Sequence, residues 1–83
     1  MFDLIILKKG VTMMPLTMAE TGKASIIHKV GGREETRRFL ENLGFVAGGE
    51  VTVVSEIGGN MIVNVKDSRV AIGKDMANRI LVE

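Results

Sequence analysis

The hydrophobic positions of this 83-residue chain fall into short runs with two different periods. From Lys23 to Val30, KASIIHKV, the residues Ala24, Ile26, His28 and Val30 alternate with Ser25, Ile27 and Lys29. That is the period of two that a strand imposes. An isoleucine stands on each face, so the pattern leaves the buried side open. Gly31-Gly32 ends the run, and the period then changes. Thr36, Phe39, Leu40 and Leu43 recur at i, i+3, i+4 and i+7, the apolar stripe of one helix. Arg37, Arg38, Glu41 and Asn42 take its other side. Glu34 and Glu35 stand in the first turn, where the helix dipole favours carboxylates. Gly44 follows the last turn, where a left-handed backbone is needed.

Phe45 and Val46 return to the core, and Ala47-Gly48-Gly49 turns the chain into Glu50–Ile57, EVTVVSEI. Val51 and Val53 share one face of that strand. Gly58-Gly59-Asn60 reads as a hairpin connection, because glycine supplies the positive φ such turns require. Met61–Lys66 is the return strand, with Met61, Val63 and Val65 facing the core. Asp67-Ser68 predicts another turn, Arg69–Ile72 a short strand, and Gly73-Lys74-Asp75 the start of a single helical turn whose Met76, Ala77 and Ile80 share a face. Ile80–Glu83 closes the chain. Upstream, Pro15–Gly22 reads as a loop or one helical turn with Leu16, Met18 and Ala19 inward.

This order divides the chain into residues 1–13, an N-terminal extension, and 14–83, one domain. The extension carries FDLIIL, which reads as an extra edge strand, as a loosely held lead, or as a strand that adds to another chain's sheet. The domain is mainly β with short helices, an α+β arrangement of about five short strands around one main helix. A small SH3-like β-barrel with a short C-terminal helical turn fits best. An OB-like barrel is the alternative, but it asks for longer, more curved strands and more aromatics. Phe39, Leu40 and Leu43 are expected to plug the barrel, with Gly44 and Gly48 setting the exit from the helix.

Composition narrows the chemistry. The apolar fraction is 46% with three Phe and no Trp or Tyr, so the core must be aliphatic. Eleven Lys and Arg against ten Asp and Glu give no basic footprint for nucleic acid. The Arg33, Arg37 and Arg38 group is interleaved with Glu34, Glu35 and Glu41, a pattern of solvated helix faces. Without cysteine there is no disulfide and no thiolate, which fits a reducing cytosol. FDLIIL is far shorter than the about 20 residues that span a bilayer, and its charges stand in the wrong order for a signal peptide. No membrane insertion is expected. A lone His28 without Cys is a poor metal site and reads as a partly exposed strand residue. The glycine pairs form no phosphate-binding motif. Nothing supports catalysis, a bound cofactor or a metal site, and the chain is read as a non-enzyme.

Arg37-Arg38-x-Leu40-x-x-Leu43-Gly44-Phe45-Val46-x-Gly48-x-Glu50-Val51 resembles the helix-and-loop signature of the FeoA domain family. The opening at Leu16–Gly22, the strand Ala24–Ile27, the Gly31-Gly32 pair and the ending at Val70–Ile72 and Ile80–Val82 are similar in order. Ala47 departs from the usual proline, and the first thirteen residues lie outside the pattern. The resemblance implies an SH3-like barrel in the cytoplasm. It also implies a non-catalytic accessory of ferrous-iron uptake that docks on the G-protein region of the FeoB transporter. Arg37, Arg38, Glu41 and Asn42 would supply the docking face, or would merely solvate the helix. The alternative is a metal-responsive regulatory module, as in the C-terminal domain of DtxR-type repressors. Direct metal binding through carboxylates and His28, and weak homo-oligomerisation through FDLIIL, are the remaining classes.

Overall fold

The computed structural model describes residues 5–7 and 11–83. Seven strands are β1 (Ile5–Leu7), β2 (Val11–Pro15), β3 (Ala24–Val30), β4 (Glu50–Ile57), β5 (Asn60–Val65), β6 (Ser68–Gly73) and β7 (Ile80–Val82). A 3-10 turn spans Leu16–Met18, α1 runs Glu34–Leu43, and α2 is the four-residue turn Lys74–Ala77. The strands form one antiparallel sheet in the order β1-β2-β7-β3-β4-β5-β6, an SH3-like arrangement curled around a single core. β4, β5 and β6 are the expected meander. Among the described residues the hydrogen-bonded ladder does not close: β1 and β6 are its edges, where flanking strands were expected to complete a barrel.

β3 sits at the middle of that order, and it settles the face that the sequence left open. Ala24, Ser25 and Ile26 pair with β4, whereas Ile27, Lys29 and Val30 pair with β7. The register shifts between Ile27 and Lys29. Ser25 and Ile27 are buried before the shift and Val30 after it, so the buried side changes parity along one strand. Ile26 consequently faces outward although it is apolar. The extra residue, His28, is the one left out of the ladder.

α1 ends where the glycine predicted. Gly44 adopts φ +113°, its N–H donates to Glu41 O at 3.0 Å, and the Phe45 N–H donates to Leu40 O at 3.0 Å. These bonds form a Schellman motif, with Phe45 and Leu40 as its buried hydrophobic pair. The expected stripe is only partly used. Leu40 is fully buried and Thr36 and Leu43 are half-buried, but Phe39 is 50% exposed, which corrects its assignment to the barrel plug. A helical residue one position on lies about 100° around the axis. With Leu40 pointing into the sheet, Phe39 falls on the flank, and Phe45, entering after the glycine, fills the core instead. Met18 is likewise exposed rather than inward, at 45%, while Leu16 takes the buried position.

The β5–β6 connection is Lys66-Asp67, one residue earlier than the sequence suggested, and both residues have positive φ, 47° and 63°. Two positive values mark a type I′ turn, which ordinarily selects Asn-Gly. The chain accepts side chains in a left-handed conformation that glycine would adopt without strain.

Two stability measurements check these assignments. Leu40→Ala removes a fully buried side chain and should cost about 3 kcal/mol, whereas Phe39→Ala should cost less than about 1 kcal/mol. Equal losses in urea denaturation would return Phe39 to the core. Replacing Lys66-Asp67 by Asn-Gly should raise stability by about 1 kcal/mol, seen as a higher urea midpoint at an unchanged slope.

Candidate interaction surface

The outward side of α1 carries Arg37, Arg38, Glu41 and Asn42, all exposed and all on one ten-residue helix. Leu40 fixes the helix's rotation: any residue directed away from it reaches solvent. Arg38 Nη2 donates to Glu34 Oε2 at 2.9 Å, an i,i+4 pair on the fully solvated side. Such a pair contributes only a few tenths of a kcal/mol, about 0.3–0.5. Arg37 and Glu41 are also one turn apart, with the cation N-terminal to the anion, the less favourable order. They form no ion pair, and among the described residues no carboxylate pairs with Arg37. Phe39 joins this surface from its flank. The sequence assigned it inward because its spacing matched the stripe, and the narrow contact that α1 makes with the sheet was not legible from spacing alone.

Beside the C-terminal end of α1 lies an open groove of about 560 Å³ whose lining includes Glu50, Thr52, Asn64, Lys66, Asp67 and Arg69. The Lys66 side chain links it to the helix, its methylenes lying 3.4 Å from the point where a Gly44 Cβ would stand. The last turn of α1 has no basic residue of its own. The aliphatic part of Lys66 packs on the helix exit from a different element. Two cations and two carboxylates leave the groove without net charge. It was missed from sequence, although Glu50, Thr52 and Asn64 are the outward, polar members of alternating strands.

His28 meets a partner that sequence reading did not find. Its Nδ1 lies 2.8 Å from Glu83 Oε2, both side chains being partly exposed. β3 and β7 set this contact, because the Ile26 and Glu83 backbones exchange hydrogen bonds at 3.2 and 2.9 Å just beside it. One imidazole and one carboxylate are too few to hold a metal ion. Among the described residues no three His, Cys, Asp or Glu side chains converge. Glu34 and Glu35 open α1, and Asp67 and Asp75 sit at a turn and a helix start.

Comparison with known proteins agrees with the motif. A family model described as the FeoA domain matches residues 14–83. The "Putative Fe(2+) transport protein A" of Methanocaldococcus jannaschii is 31% identical over 71 residues, covering 86% of this chain and 87% of that protein. The crystal structure of an iron uptake regulatory protein, FeoA, superposes with a TM-score of 0.78 at 30% identity, covering 86% of this chain and 96% of the other. Stenotrophomonas maltophilia FeoA, solved in complex with zinc and described as a prokaryotic SH3 domain protein, gives a TM-score of 0.75 at 28% identity, over 84% and 89% of the two chains. A manganese-dependent transcriptional repressor shares the fold alone, at 18% identity and a TM-score of 0.76, with the match spanning 40% of its length. With the helix, its glycine exit and the SH3-like sheet all in place, this chain belongs to the FeoA domain family.

Proposed function

We propose that this protein is a non-catalytic accessory of ferrous-iron uptake that acts in the cytoplasm by docking on the G-protein region of a FeoB-type transporter. The family match across residues 14–83, together with a transport-protein relative matched over nearly its whole length, carries the reading. The surface supports it in kind. α1 presents Arg37, the Arg38–Glu34 pair, Glu41 and Asn42, all exposed, with a half-exposed aromatic ring on the flank. Arginine and aromatic side chains are the residue types that dominate binding energy at protein interfaces. Among the described residues no helix is long and apolar enough to cross a membrane. A metal-responsive regulatory module is the second reading. Its support is the fold shared with the manganese-dependent repressor, which at 18% identity carries no function.

Binding of the full-length protein to the soluble G-protein region of FeoB, with and without guanine nucleotide, tests the proposal. Arg37→Glu with Arg38→Glu should weaken the complex about tenfold or more, since reversing interface charges costs more than removing them. Phe39→Ala should weaken it without unfolding the domain. Absence of binding by the unaltered protein under either nucleotide condition refutes the proposal.

A further inference from the structure

We infer that the free edge of β6 pairs antiparallel with the β6 of a second copy about a two-fold axis at Ala71, joined by reciprocal contacts between Arg69 and Asp75. This concerns the chain's contact with itself and does not depend on the transport reading. The backbone sets the register. Val65 and Ser68 flank the two-residue β5–β6 turn, and the pairing continues without a shift through Val63–Val70 and Met61–Ile72. Antiparallel pairs alternate between bonded and non-bonded. Ser68, Val70 and Ile72 therefore spend their backbone groups on β5, while Arg69, Ala71 and the Gly73 N–H face the open edge. β6 is the last strand of the sheet, and no bulge or proline interrupts it.

One antiparallel register pairs these edge-facing positions over the whole strand. It puts Ala71 opposite the second copy's Ala71 and Arg69 opposite the second copy's Gly73. Ala71 then exchanges both backbone groups across the axis, and each Gly73 N–H reaches an Arg69 carbonyl. Val70 stands opposite Ile72, an apolar pair. No like charges meet within the strand.

The side chains complete the match. Positions 69, 71 and 73 share the outer face, where Arg69 and Ala71 are exposed while Ile72 is buried behind them. Gly73 has no side chain there, and Asp75 Oδ1 lies 3.1 Å from the point where its Cβ would stand. A carboxylate thus occupies the spot directly opposite the second copy's Arg69. Among the described residues neither group has an ion-pair partner: Arg69 Nε donates to the neutral Asn64 Oδ1 at 3.2 Å, no carboxylate pairs with Arg69, and no cation pairs with Asp75. The edge is complementary to itself in backbone, bulk and charge at once.

Sedimentation of the full-length protein across a concentration series tests this. The expected result is a concentration-dependent dimer. Arg69→Asp and Asp75→Arg should each raise its dissociation constant about tenfold, because each places like charges in both symmetric contacts. The double reversal should return it to within about threefold of the original. Hydrogen exchange at the Ala71 amide of the unaltered protein gives a readout that needs no variant, and it should slow as the dimer fills. A monomer up to about 1 mM, single reversals that bind as tightly as the original, or exchange at Ala71 independent of concentration each overturns the inference. Open-ended assembly beyond a dimer, as β1-on-β6 pairing would produce, overturns it as well.

Discussion

Ile27 is where the structure is pinned. Its N–H donates to Gly49 O at 2.8 Å, and its carbonyl accepts from the Gly48 N–H at 2.7 Å, while its side chain is fully buried. Those two bonds clamp the loop leaving α1 against the middle of β3. The register shift in the β3–β7 ladder begins at the same residue. The one extra residue there bends the strand and reverses the parity of its buried side. Were the pairing continuous, either Ser25 and Ile27 or Val30 would face solvent. Gly48, at φ +87°, makes the clamp reachable, because its N–H must turn back toward β3.

From that clamp follows the placement of α1. A ten-residue helix is marginal on its own and needs tertiary contacts to persist. Here it is held at one end by the Schellman exit into Phe45 and Val46, and along its length by Leu40. Its contact with the sheet is narrower than its apolar stripe. The result is a helix with one deeply buried residue and a broad outer surface on which an aromatic ring is left over. That geometry leaves most of the helix surface, the ring included, in solvent.

The sequence was most informative where one residue type has one physical use. Gly44 ends the helix, the Gly58-Gly59 pair turns β4 into β5 with Gly58 at φ +60°, and alternating valines mark β4 and β5 as half-buried strands. It was less informative where two uses compete. Phe39 matches a helical stripe equally well whether the sheet covers it or stops short. Lys66-Asp67 carries no turn-specific composition, so the sequence points to Asp67-Ser68, one residue later than the turn itself. The neighbours across the fold, His28 with Glu83 and Lys66 with Gly44, have no local signal at all, since each brings together residues far apart in the chain. The four polar residues of α1 were placed on the outer face from spacing, and they stand there; the ring beside them was not foreseen.

By itself, then, the sequence determined the local conformations, the aliphatic core and the family. Periodicity, glycine position and composition act over a few residues, and the family's motif is itself such a run. Only the tertiary structure decided which face of β3 is buried, how much of the α1 stripe is covered, and that β6 is left as an open edge. Those outcomes depend on where distant strands run relative to one another. A bulge at His28 and the reach of one helix over a curved sheet are properties of the assembled fold.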